Sequence, residues 1–263
     1  MLPFAIDSVV SPIQIQRRSL PAQVPYAPLA SKTQCSTCLV KDICLPSGLK
    51  GNDVHLLDGM LFGHRKVRSG QPLYREGDKF QFLYAMRSGT FKSSLTSPDG
   101  IDQVIAFHMA GEVMGLDGVA QGAYSSTATA LEDTELCAIS YAHLTELAAN
   151  SPGLHHIVGR LMSFEISREH RLMLMLGSMN AEERLAAFLL DISRRLELRG
   201  FSAHEFHLRM SRADIGSYLG LTLETISRTF SAFQRTGILK VRKKHVRVVD
   251  HKALARTLEP HED

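Results

Sequence analysis

No stretch of this 263-residue chain approaches the roughly 18 consecutive apolar residues that a membrane-spanning helix needs. The opening Met1-Leu-Pro-Phe-Ala-Ile-Asp7 also lacks the basic start and longer apolar core of a secretory signal, so the expectation is a soluble, cytoplasmic protein with no membrane partner. Cysteine is scarce, with four residues in all, and a reducing cytosol disfavours a framework of disulfides. Neither a nucleophile triad, nor a phosphate loop, nor a paired-carboxylate motif is present, and His155-His156, His204 and His207 lack a ligand pattern. The chain therefore does not read as an enzyme.

What the chain does have is 44% hydrophobic and 22% charged residues, enough for an ordinary core in one large or two small domains. Three of its four cysteines fall inside ten residues, Cys35-Ser-Thr-Cys38-Leu-Val-Lys-Asp-Ile-Cys44, and the fourth, Cys137, lies far downstream in an apolar stretch. Four thiolates make one complete metal site. Zinc usually takes two paired Cys-x2-4-Cys knuckles, and Cys44 and Cys137 form no second pair. Iron-sulfur sites accept three ligands on one loop and a remote fourth. Spacing alone leaves zinc and iron-sulfur open.

Residues 1–34 show no periodicity and carry Pro3, Pro12, Pro21, Pro25 and Pro28, which reads as an N-terminal arm without a core. From about Val54 to Ser140, short alternating segments such as Phe82–Arg87 and Gln103–His108 are separated by Gly70, Gly77, Gly89, Gly100, Gly111 and Gly115. That pattern predicts an antiparallel β-roll or jelly roll, with Cys137 on a late strand, so residues 35–150 form a sensor domain. Asn150-Ser-Pro152 then signals a long helix over 151–180. On it Gly159, Met162, Ile166, Glu169, Met173 and Leu176 alternate at three and four residues, the spacing of a homodimer seam. In a symmetric pair the two Glu169 carboxylates would approach each other and repel, leaving the dimer adjustable. The fold class is thus α+β, completed by a C-terminal domain at 181–263.

The last third is the basic part: Ala181 to Asp250 carries 13 Lys and Arg against 8 Asp and Glu, whereas Cys35 to Asn180 carries 12 against 15. Within it, Ser211 and Thr222 are N-cap residues, Gly220 breaks between two helices, and Ile226, Phe230 and Phe233 line the apolar side of the second. The opposite side presents Glu224, Ser227 and Arg228 at i, i+3 and i+4, near the helix start. Arg can pair with guanine, Glu can accept from a cytosine amino group and Ser can do either in the major groove of double-stranded DNA. A hairpin over 238–249 follows with Lys240, Arg242, Lys243, Lys244 and Arg247, a basic wing suited to phosphates. An isolated Glu-x-x-Ser-Arg triplet is a weak signal; the helix pair and wing make it a winged helix-turn-helix.

The cysteine cluster, the late Cys137, the glycine-punctuated roll, Asn180-Ala-Glu-Glu-Arg-Leu-Ala-Ala-Phe188 and Glu224-Thr-Ile-Ser-Arg228 together resemble the FNR branch of the Crp/Fnr transcription regulators, from Cys35 to about Asp250. The resemblance implies a 4Fe-4S cluster on Cys35, Cys38, Cys44 and Cys137 that favours a DNA-binding homodimer, and that oxygen converts to 2Fe-2S, letting the dimer separate. It also implies Glu224, Ser227 and Arg228 as readers of an inverted repeat of TTGAT type, and RNA polymerase as a partner. Leu39 is expected to shield one cluster edge, with Lys41 and Lys32 moderating its negative charge.

The roll also resembles cyclic-nucleotide-binding domains, and Gly111-Glu-Val-Met-Gly115 is similar to the start of their phosphate cassette. Between Met109 and Tyr141, however, there is no Arg or Lys, and Tyr124-Ser125 stands where nucleotide-binding relatives pair an arginine with a serine. A buried cyclic phosphate would lack its electrostatic partner. An iron-sulfur electron carrier is the reading from another class; it accounts for the cysteines and leaves Glu224, Ser227, Arg228 and the wing without a task.

Overall fold

The computed structural model describes residues 34–49, 52–58 and 61–259. The expected arm, with Lys32, lies outside the described residues apart from its last position. A 3-10 turn, Cys35–Thr37, opens the cysteine loop, and the short helix α1 (Asn52–Asp58) follows. Eight strands then form the roll: β1 (Leu61–Val67), β2 (Pro72–Tyr74), β3 (Phe82–Ser88), β4 (Thr90–Thr96), β5 (Asp102–Met109), β6 (Val113–Met114), β7 (Thr127–Ala130) and β8 (Thr134–Ser140). They pair antiparallel in two sheets ordered β1-β8-β3-β6 and β2-β7-β4-β5. The turn glycines predicted between segments fall at strand junctions, as the two-residue period of the apolar positions requires.

Two apolar cores fill the roll. One packs Tyr74, Tyr84, Met86, Phe91, Met114, Tyr124 and Leu136 between the sheets. The other joins Leu83, Ala85, Cys137 and Ile139 to Leu45 of the cysteine loop, Leu57 of α1, and Leu144, Leu154 and Ile157 of the helices that follow the roll. Those helices are α2 (Tyr141–Asn150), capped by Ser140, and the 27-residue α3 (Pro152–Ser178), capped by Ser151 with Pro152 in its first turn. The long helix thus starts on the same core that holds the cysteine loop.

After α3 the chain turns at Asn180, whose side chain and Glu183 form a capping box for α4 (Ala181–Glu197). There follow β9 (Glu205–His207), α5 (Arg212–Leu219), α6 (Leu223–Arg235), β10 (Leu239–Arg242), β11 (His245–Val248) and α7 (His251–Arg256). Ser211 and Asp214 make a second capping box at α5, and Gly220 ends that helix in the left-handed region at φ +62°, where a side chain would be strained. β10 and β11 form the predicted hairpin, joined by β9 into a three-stranded sheet.

The C-terminal domain shares its core with the roll: Val104, Phe107 and Met109 of β5 and Met175 of α3 pack with Leu185, Phe188, Leu189, Ile226 and Phe230. Polar contacts reinforce the junction. Glu112 receives Arg195 at 2.8 Å and Arg199 at 2.6 Å, and Lys92 meets Asp214 at 2.6 Å.

Candidate functional site

The cysteine loop follows the β8 side of the roll. Cys137 sits in mid-strand, opposite His64 of β1 and Ala85 of β3, and is buried. Cys35, Cys38 and Cys44 are half-buried and meet Cys137 in one pocket, walled by Val40, Lys41, Leu45, Pro46, Ala85, Arg87 and Ile139. The loop is tied down at both ends. Ser36 donates from its N–H at 3.1 Å and its hydroxyl at 2.8 Å to Asp58, while Ile43 rests against Gly111, where an added Cβ would come within 2.8 Å.

The thiols reflect this confinement. Burial, then the nearby Cys44 and Cys137, push Cys35 up to about 12. Burial likewise raises Cys44 to about 11, and raises Cys137 to about 12 despite the opposing charge of Arg87. Left to themselves Cys35, Cys44 and Cys137 stay protonated; a strongly positive centre among them would favour their thiolates. An all-sulfur donor set suits iron-sulfur or zinc chemistry. Among the described residues, no three His, Cys, Asp or Glu side chains converge on a single metal-ion position.

Lys41 lines the pocket, but Leu39, expected to shield one edge of it, does not. Its side chain is 97% exposed, because it occupies the outer corner of the turn closed by the Lys41 N–H to the Cys38 carbonyl at 3.2 Å. Val40, Leu45, Pro46 and Ile139 supply the apolar wall instead. The sequence reading missed Arg87, which reaches the pocket from β3 while bonding His64 at 2.7 Å. Only the strand register could have shown it.

On α3, Gly159, Ile166, Glu169 and Met173 are exposed, and Met162 and Leu176 are half-buried. Leu154, Ile157 and Met175 face inward on the opposite side of the helix. Phe164 and Leu174, 64% and 61% exposed, lie on other faces of α3, Phe164 on the side away from the seam, and were not anticipated.

In the helix-turn-helix, Thr222 caps α6 by accepting the Thr225 N–H at 3.2 Å. Ile226, Phe230 and Phe233 are buried; Glu224, Ser227 and Arg228 stand exposed on the other face. Hydrogen bonds from its own N–H and from Thr222 hold the Glu224 carboxyl below its usual range. Arg212 stacks its guanidinium 3.1 Å over the Phe230 ring, bracing the recognition helix from α5. In the wing, Lys240, Arg242, Lys243, Lys244 and Arg247 are exposed. Lys243 takes φ +57° at the hairpin tip, and Lys244 Nζ donates to the Arg209 carbonyl at 3.0 Å.

Inside the roll, Tyr124 stacks on Tyr74 at 3.9 Å and donates its hydroxyl to the Phe82 carbonyl at 2.7 Å. The N–H and hydroxyl groups of Ser125 and Ser126 all turn to Asp117 Oδ2, at 2.8 to 3.1 Å. The donors that would greet a cyclic phosphate are thus taken by a carboxylate of the chain itself.

A roll bearing a thiol pocket, a long helix with exposed apolar residues and a winged helix-turn-helix define a DNA-binding regulator with a second domain on its N-terminal side. Comparison with known proteins agrees: residues 64–151 match the cyclic nucleotide-binding domain and residues 183–257 the Crp-like helix-turn-helix domain. The chain is 42% identical over 221 residues to the fumarate and nitrate reduction regulatory protein of Escherichia coli, covering 84% of this chain and 88% of that protein. It is 41% identical over 228 residues to the transcriptional regulatory protein btr of Bordetella pertussis, covering 87% and 93%. Among solved structures, FixK2 from Bradyrhizobium japonicum aligns with a TM-score of 0.70 at 30% identity, covering 75% of this chain and 97% of that one. The chain belongs to the Crp/Fnr family of transcription regulators; it is a DNA-binding regulator, not an enzyme.

Proposed function

We propose that the protein is a cytoplasmic, oxygen-responsive transcription regulator in which Cys35, Cys38, Cys44 and Cys137 hold a 4Fe-4S cluster. The observation that carries this reading is the shared pocket: a loop of three thiols closes over a fourth on β8, and the loop packs on the core that anchors α3. When bound, the cluster supplies an oxygen-labile centre convertible to the 2Fe-2S form. The chain's own groups do the rest. Ser36 and Asp58 hold the start of the loop, Arg87 and Lys41 bring positive charge to an anionic site, and Val40, Leu45, Pro46 and Ile139 limit access of water.

The loaded loop orders the N-terminal turns of α3 and favours a homodimer along Gly159, Met162, Ile166, Glu169, Met173 and Leu176, with the facing Glu169 carboxylates keeping it reversible. Two linked α6 helices then read an inverted repeat of TTGAT type through Glu224, Ser227 and Arg228. Thr222 caps the helix and Lys243 and Lys244 lie along phosphates. RNA polymerase is the partner such a bound dimer recruits or blocks.

Anaerobic purification followed by iron and sulfide analysis, a visible spectrum, sedimentation and operator binding tests the reading. Four irons and four sulfides per chain, with dimerisation and operator affinity both lost in air, are expected. Zinc in place of iron, or equal molar mass and affinity before and after air, would overturn it. Cyclic nucleotide is not the effector in this reading, since Asp117 already occupies Ser125 and Ser126 and no Arg or Lys stands nearby in sequence.

A further inference from the structure

Cys44 and the dimer helix are joined through one residue, Ser47. The Ser47 N–H donates to the Cys44 carbonyl at 2.9 Å, and the Ser47 carbonyl in turn accepts from Arg160 Nη2 on α3. The fit around that guanidinium is close. Gly48 adopts φ +88°, which favours glycine, and a Cβ there would lie 2.7 Å from Arg160 Nη1 and displace the guanidinium. Arg160 Nε is buried and has no hydrogen-bond partner among the described residues. A buried unpaired donor costs free energy, and the arrangement holds because the remaining contacts fix the side chain. Leu161, the next residue, packs on the core that contains Leu45 and Cys137. Gly159, the residue before, is exposed at the head of the seam.

We infer that Arg160 is the positioning residue that couples the cysteine loop to the dimer helix, an inference that rests on the cluster reading above. A guanidinium suits the task because its planar fork reaches Ser47 and Gly48 together, whereas an ammonium is a single point of charge. When Cys44 is held, the Ser47 carbonyl is presented to Arg160 and the second turn of α3 is fixed in register with the loop. When Cys44 is released, the Ser47 peptide turns with it and Arg160 loses its acceptor. Ser36 to Asp58 and Ile43 on Gly111 hold the loop to α1 and the roll, and Leu45 packs with Leu154 and Ile157 of α3, so Arg160 adds the polar link to an apolar contact.

The test compares parent, Arg160→Ala and Arg160→Lys, each prepared anaerobically, by iron and sulfide content, visible spectrum, and dimer dissociation constant by sedimentation before and after air. Expected is a parent-like cluster in both variants. The ratio of the two dissociation constants should fall on the order of tenfold in Arg160→Ala and partly recover in Arg160→Lys. Amide exchange at Ser47 to Leu49 should become faster in the loaded alanine variant. A residue that serves only the fold would weaken both states alike and leave the ratio unchanged, and an unchanged ratio in either variant overturns the inference. If the parent itself shows no difference between the two conditions, the cluster reading fails instead. Should Arg160→Ala fail to fold, the lysine variant alone decides, through the same ratio.

Discussion

His108 is buried within the roll, with Nε2 2.9 Å from Ser93 Oγ and Nδ1 3.3 Å from Arg168. Burial, reinforced by Arg168 and Arg195, holds it well below its ordinary range and therefore neutral. An unfolded chain takes up that proton near pH 6.5 while the folded one does not, so stability is lost as pH falls below about 6.5. Chemical denaturation at pH 7.5 and 5.5 should show that loss, and His108→Gln should reduce it by about one proton's worth of slope. Glu112 presents the opposite case: it compensates Arg195 and Arg199, whose side chains are only 14% and 9% exposed. Glu112→Ala leaves both cations without that partner and is expected to cost roughly 3 to 5 kcal/mol in urea unfolding. Neither residue could be singled out from the sequence, because a His in an alternating strand and a Glu after a turn glycine look like many others until their neighbours are known.

At the level of elements, α6 carries the sharpest expectation. Arg228→Ala should remove roughly 1 to 3 kcal/mol of base discrimination at one operator position, measured by competition with substituted half-sites, while the visible spectrum stays unchanged. The wing offers a divided outcome. Lys243→Gly relieves a side chain at φ +57° and should stabilise the domain by about 1 kcal/mol. The same change removes one cation from each protomer, so for the bound dimer the slope of log affinity against log salt should become shallower by about 2. These elements were legible in advance because each is encoded locally. Ser211, Thr222 and Gly220 mark helix ends, Ile226, Phe230 and Phe233 mark a buried face, and the residues left over, Glu224, Ser227 and Arg228, are the ones proposed to read DNA. Leu39 was misread for a related reason: spacing places it near the cysteines but does not say which way a turn corner points.

For the molecule as a whole, the exposed side of α3 is the decisive surface. Ile166 and Met173 are 52% and 61% exposed in the single chain, so Ile166→Glu should leave the monomer's circular dichroism unchanged. Sedimentation should then find a monomer under anaerobic conditions, and operator affinity should drop by the loss of linkage between two reading heads. The opposite side of the same helix packs on the cysteine-loop core, with Leu154 and Ile157, and on the DNA-binding core, with Met175. One helix therefore touches the cysteine-loop core and the DNA-binding core and carries the proposed dimer seam, which is the physical condition for a change at one to bias the others.

By itself the sequence determined the class of the protein: the cysteine spacing, the two-residue and heptad periods, the caps and the Glu-x-x-Ser-Arg face are all properties of residues close together in the chain. Tertiary structure alone decided how those parts meet. Cys137 faces the loop because β8 pairs with β1 and β3 in one register, and a slip of one residue would turn it to the other face of the sheet. Arg160 reaches Ser47 across 113 residues, Arg195 reaches Glu112 across 83, and Asp117 closes over Ser125 and Ser126 only because the intervening loop folds back. Contacts of that kind depend on the path of the backbone through space, which no local pattern of residues records.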